Sequence, residues 1–112
     1  MKTEIKTERN IEVFKVSGTL DMLTVPVFKQ QVTDLLKNGR NRIIFDFADL
    51  EFVNSSGLEV LISNHVTAKK AGGFIAIAAV SANVAKVFEI TRMDRAFKIF
   101  PDSGTAIEAL AE

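Results

Sequence analysis

Apolar and polar positions repeat with two different periods along the chain, and the changes of period divide it into strands and helices. Residues 3–8 (Thr-Glu-Ile-Lys-Thr-Glu) and 11–17 (Ile-Glu-Val-Phe-Lys-Val-Ser) are rich in β-branched residues and flank Arg9-Asn10, which predicts a hairpin. Gly18 is expected to end the second strand, with Thr19-Leu20-Asp21-Met22 as a loop. Val25, Phe28, Val32, Leu35 and Leu36 recur at helical spacing and predict a helix over 24–38. Thr24 is its candidate cap, Pro26 suits the first turn and Gly39 stops it. In 42–47, Ile43, Phe45 and Phe47 fall on one side and Ile44 on the other, the pattern of a central strand covered on both faces.

Leu50 to Gly57 reads as a loop leading into a second helix, which opens at Asn54-Ser55-Ser56-Gly57 and reaches about Ala71. Lys69 and Lys70 complement the dipole of its last turn, and Gly72-Gly73 stops it. Phe74 to Val80 is wholly apolar, as a buried strand requires. Ser81 is expected to cap a third helix through Ile90, with Val84, Val87 and Phe88 turned inward. A last strand near 97–100 ends at Pro101, and a short helix over 105–111 follows. Strands alternating with helices predict an α/β domain with a mixed, mostly parallel sheet of four to five strands and about four helices, spanning 1–112 as one unit. In such sheets the loops leaving the carboxyl ends of strands share one rim. Gly18–Thr24 and Leu50–Gly57 are the two that qualify.

Composition narrows the chemistry. The 112 residues suffice for one core, which the nine phenylalanines and 47% apolar content can fill. Fourteen Lys+Arg balance fourteen Asp+Glu, so no basic field gathers nucleic-acid phosphates or anionic lipid. The lack of cysteine excludes disulfides, thiol catalysis, thiolate zinc and iron–sulfur clusters, and it favours a reducing compartment. The longest apolar run, Phe74 to Val80, is far short of the ~20 residues of a membrane helix. The opening Met-Lys-Thr-Glu-Ile is unlike a signal peptide. The expectation is a cytoplasmic domain with no metal, no cofactor and no catalytic activity of its own.

The segment 54–58 carries the only local signal. Ser56 and Glu59 stand three apart at the mouth of the second helix, as in a capping box. With Ser56 as cap, Ser55 lies one residue outside the helix with its hydroxyl uncommitted, and Gly57 leaves it open to approach. A phosphoryl group on Ser55 would face the positive end of the helix dipole. On the local motif alone, the reading of both serines as cap residues is favoured. A nucleophile is disfavoured: no G-x-S-x-G elbow surrounds Ser55. The only histidine, His65, lies ten residues further along the same helix. That is roughly 15 Å along the axis. His65 fits a core edge better. Asp21, Asp46 and Asp49 match no ion-loop spacing, and Gly72-Gly73 lacks the Lys-Ser/Thr of a phosphate loop.

The stretch Asp46-Phe47-Ala48-Asp49-Leu50-Glu51-Phe52-Val53-Asn54-Ser55-Ser56-Gly57-Leu58 resembles the signature of STAS domains, and of bacterial anti-sigma factor antagonists in particular. Gly18-Thr19-Leu20-Asp21 upstream extends the resemblance, as do Ala71-Gly72-Gly73 and the stretches 87–91 and 97–100 downstream. The resemblance implies a STAS-like fold and a switch. The unphosphorylated antagonist binds an anti-sigma factor that is also a serine kinase and so frees the sigma factor. The kinase modifies the first serine of an Asp-Ser-Ser/Thr-Gly motif, here Ser55, and a serine phosphatase reverses it. Asn54 stands where the family usually has Asp, and Arg92-Met93 replaces a small-residue turn. The implied partner surface comprises Asp21, Asn54, Ser55, Ser56 and Gly57. Alanine at Asp21 is expected to weaken the complex and leave stability nearly unchanged. The competing expectation is a non-switching STAS adaptor subunit of a lipid-transport ATPase or a stress-sensing assembly.

Overall fold

The structure, a computed structural model, describes residues 1–111. β1 (Lys2–Glu8) and β2 (Ile11–Leu20) form an antiparallel hairpin, followed by α1 (Val25–Lys37), β3 (Arg42–Asp46), β4 (Leu50–Val53) and α2 (Ser55–Lys70). β5 (Phe74–Ala78), α3 (Ala82–Ile90), a 3₁₀ turn at Met93–Arg95, β6 (Ile99–Phe100) and α4 (Ser103–Leu110) complete it. Arg9 and Asn10 both have positive φ, 51° and 65°, the twist a two-residue hairpin turn needs.

The sheet runs β1-β2-β3-β5-β6, with β4 also paired to β2. Only the β1–β2 pairing is antiparallel. Apolar side chains cover both faces, as the β3 pattern predicts. Ile43, Phe45 and Phe47 join Phe14, Phe28, Val32, Leu61 and Phe88 under α1, α2 and α3. Ile44 joins Ile11, Ala76, Ala106 and Ile107 under α4. Phe45 centres the larger cluster, its ring 5.3 Å from both Phe14 and Phe28. Such edge and tilted contacts stabilise beyond area burial alone. Ser81 caps α3 by accepting from the Val84 N–H, as expected.

Four expectations need correction. The sheet has six strands, because Leu50–Val53 is a strand and not a loop. β2 is longer than any one parallel partner: Glu12 to Lys15 pair with β3, then Gly18, Thr19 and Leu20 pair with β4. Gly18 therefore does not end β2. Its φ of +92° marks the register shift at which the strand changes partners, and such a φ favours glycine. β6 is only two residues long, because the 3₁₀ turn brings Phe97 into the core before the ladder resumes. α4 starts at Ser103, since Asp102 accepts from the Thr105 N–H at 2.7 Å and caps it earlier than composition suggests.

Candidate functional site

Because β2 and β4 are parallel neighbours, with Leu20 opposite Val53, their carboxyl ends meet at one rim. The Asn54 N–H donates to the Leu20 carbonyl at 2.9 Å and ties the two exits together. Asn54, with extended backbone, is the N-cap of α2. Its Oδ1 accepts from the Gly57 N–H at 2.8 Å and from the Ser56 hydroxyl at 2.9 Å.

This arrangement corrects the expected cap. The helix begins at Ser55 and its cap is Asn54, two residues earlier than read, and the Ser56–Glu59 capping box does not form. Asn and Ser cap about equally well, so three consecutive candidates left the start undecided locally. Ser55 occupies the first position of α2, is exposed, and its hydroxyl has no hydrogen-bond partner among the described residues. No acidic residue sits in that first turn, so the unpaired N–H groups and positive dipole end are not offset by a local carboxylate. Gly57 does not clear an approach to Ser55. It is buried against β4, and a Cβ there would lie 2.8 Å from Val53 Cγ2.

Asp21 sits at the same rim but faces into its own loop. Its carboxylate accepts from the N–H groups of Leu23 at 2.9 Å and Thr24 at 3.1 Å, and from the Thr19 hydroxyl at 3.0 Å. The Thr24 N–H, then the Thr19 hydroxyl and the Leu23 N–H, hold the Asp21 carboxyl below the usual carboxylate range. The Thr24 side chain does not cap α1; its hydroxyl donates back to the Thr19 carbonyl at 2.8 Å. Asp21 thus shapes the loop, and these hydrogen bonds argue against the expectation that alanine there leaves stability nearly unchanged.

The loop that Asp21 folds turns Met22 and Leu23 outward, each 81% exposed. Sequence reasoning pointed to the Gly18–Thr24 loop and to Asp21 in it without singling out either residue; the available signal was two adjacent apolar residues outside any periodic face. Beside them, an open groove of about 490 Å³ runs between α1 and α2, lined by Val25, Pro26, Lys29, Ser56, Glu59 and Ser63 among others. The rim therefore joins a free hydroxyl at a helix N-terminus, two bare apolar side chains and a mixed groove. That combination suits recognition by another macromolecule.

The remaining candidate groups lie elsewhere. His65 packs its ring 4.8 Å from Phe97, and burial first, then Lys69, lowers its pKa below the ordinary value. Asp49 pairs with Lys15 at 3.1 Å, and Asp46 accepts from the Ala48 N–H at 3.0 Å. Among the described residues, no three His, Asp or Glu side chains converge as a metal site.

Residues 2–106 match the STAS domain family. The anti-sigma F factor antagonist of Paenibacillus polymyxa is 25% identical over 113 residues, covering 100% of this chain and 94% of its own. The crystal structure of an anti-sigma factor antagonist from Mycobacterium paratuberculosis aligns with a TM-score of 0.89 at 23% identity, over 99% of this chain and 94% of that one. The Bacillus cell fate determinant SpoIIAA in its phosphorylated form aligns with a TM-score of 0.76 at 20% identity, over 96% and 98% of the two chains. The matched span takes in the whole rim, from Gly18 through the Asn54 cap, and the chain belongs to the STAS domain family.

Proposed function

We propose that this chain is an anti-sigma factor antagonist that works by partner switching. In its unphosphorylated form it binds an anti-sigma factor that is also a serine kinase, and the sigma factor is released. Phosphorylation of Ser55 by that kinase ends the complex, and a serine phosphatase acting on the phosphorylated form restores it. No catalytic step is assigned to this chain. The protein acts in the cytoplasm, where the transcription machinery is.

The observation that carries the reading is the division of labour at the α2 entry. Asn54 does the capping, Ser56 donates to the cap, and Ser55 is left exposed with an unengaged hydroxyl. A hydroxyl committed to the cap would have to be released before transfer; this one would not. Phosphate there would meet free N–H groups and the positive helix end, so the fold tolerates the modified state. The same anion in an interface packed for a neutral hydroxyl would be desolvated without a partner charge, which is costly. The names of the curated relatives and the phosphorylated form of SpoIIAA agree with this reading. Asp21 enters as the residue that holds Met22 and Leu23 outward, so its contribution to the partner surface is through loop shape.

The test is incubation with candidate anti-sigma kinases and ATP, followed by mass spectrometry of the intact chain and of its peptides. The reading requires one phosphate, on Ser55, and none on Ser55→Ala. A chain that binds such a partner but never acquires phosphate would instead be a STAS adaptor.

A further inference from the structure

β1 is the one long strand whose outer edge is open among the described residues, with β2 on its inner side only. Its sequence, Lys2-Thr3-Glu4-Ile5-Lys6-Thr7-Glu8, has a symmetry unrelated to the switch. Reversed about Ile5, every charge meets its opposite: Glu4 falls on Lys6 and Lys2 on Glu8, while Thr3 falls on Thr7. We propose that β1 is a self-complementary edge through which two copies of this chain pair, antiparallel and with Ile5 on the two-fold axis, into one continuous sheet.

The backbone has the right parity for this register. Glu8 and Ile11 flank the two-residue turn and are paired, so they exchange both of their ladder hydrogen bonds. By alternation Lys6, Glu4 and Lys2 also bond inward to β2, and the N–H and C=O groups of Thr3, Ile5 and Thr7 point outward. Pairing about Ile5 joins Ile5 to Ile5, Thr3 to Thr7 and Thr7 to Thr3, which are the residues with outward groups. About six main-chain hydrogen bonds result. A register shifted by one residue would set each outward-pointing residue opposite an inward-bonded one, and these bonds would be lost.

The side chains agree with the backbone. Lys2, Glu4, Lys6 and Glu8 share one face and are all exposed, so the pairing sets a row of facing opposite charges on that face. On the other face the row is Thr3, Ile5 and Thr7, where Gln31 donates to Thr3 at 3.1 Å and Ile5 remains 44% exposed. Ile5 would cover Ile5 of the second copy. Edge strands are ordinarily guarded by charge, but a guard works only when the approaching strand carries the same sign. This edge matches itself in the reversed register. None of its residues belongs to the Ser55 rim, so the dimer would carry two switch sites.

A seven-residue edge is a small interface, so the dimer is expected to be weak and concentration dependent. Sedimentation equilibrium of the full chain from micromolar to millimolar concentration, at low and high salt, measures it. Lys6→Glu puts like charges opposite each other at two facing positions and should weaken association about tenfold. Adding Glu4→Lys to that variant restores complementarity and should restore association. An all-acidic edge (Lys2→Glu with Lys6→Glu) and an all-basic edge (Glu4→Lys with Glu8→Lys) should each be monomeric alone and dimerise when mixed. Circular dichroism checks that every variant is folded. A wild type monomeric throughout, a Lys6→Glu variant that associates like the wild type, or acidic and basic edges that ignore each other would overturn the proposal.

Discussion

The Asn54 N–H meets the Leu20 carbonyl at 2.9 Å, and this one bond joins the end of β2 to the start of α2. It fixes the Asn54 backbone while the Asn54 side chain caps the helix, so Ser55 is positioned from both sides without using its own hydroxyl.

The cap therefore belongs to Asn54. Asn54→Ala should cost about 1 kcal/mol of stability, while Asn54→Asp, which retains the acceptor, should cost little. Ser56→Ala removes only the donation to Oδ1 and should cost roughly half as much as Asn54→Ala. Urea denaturation of the three variants measures this, and a larger loss for Ser56→Ala would return the cap to the serine.

Gly57 is held by lack of space and not by conformation. Gly57→Ala puts a Cβ 2.8 Å from Val53 Cγ2, so the strain should outweigh the gain in helix propensity and leave a net loss of about 1 kcal/mol. In a Val53→Ala background the same change should be nearly neutral or stabilising. A double-mutant cycle by denaturation reads the coupling.

Asp21 makes stability acid sensitive. Its folded pKa is depressed by the Thr24, Thr19 and Leu23 hydrogen bonds, so its contribution is present above the unfolded carboxylate pKa and is lost as pH falls through the folded one. Asp21→Ala should lower the melting temperature at neutral pH and flatten its decline in acid; Asp21→Asn should do so less, because the amide oxygen retains one acceptor. The burial-lowered pKa of His65 works in the same direction at less acid pH: its contribution, present above the ordinary histidine value, is lost as pH falls through the folded pKa. Thermal melts across pH on the wild type and the Asp21 and His65→Phe variants separate the two.

Much of this architecture is legible in the chain. The split of Ile43 and Phe45 from Ile44 gave the two-faced strand, Arg9-Asn10 the hairpin, and Ser81 the α3 cap. β4 was not legible, because Leu50 and Val53 are buried while Glu51 and Phe52 are exposed, a pattern without alternation. It becomes a strand only because Gly18 lets the second half of β2 leave β3, a long-range event. The α2 start was ambiguous for a related reason. Local propensity ranks Asn54, Ser55 and Ser56 alike; the bond to Leu20 and the fit of Gly57 on Val53 decide among them. Nor did composition show that Asp21 would spend its carboxylate within its own loop.

An acidic group at position 55 should not harm the fold. Ser55→Asp places a negative charge in a first turn that has none, and should stabilise by about 0.3–1 kcal/mol at low salt. Melting at low and high ionic strength tests this, with the gain fading as salt rises.

One phosphate on Ser55 is proposed to preserve the fold and end the complex. Isothermal titration of the unphosphorylated and Ser55-phosphorylated chain against the anti-sigma kinase measures it most directly, with circular dichroism showing both to be folded. Phosphorylation should lower affinity about a hundredfold or more, about 2.8 kcal/mol, with Ser55→Ala binding like the wild type. Equal affinity of the two forms would contradict it.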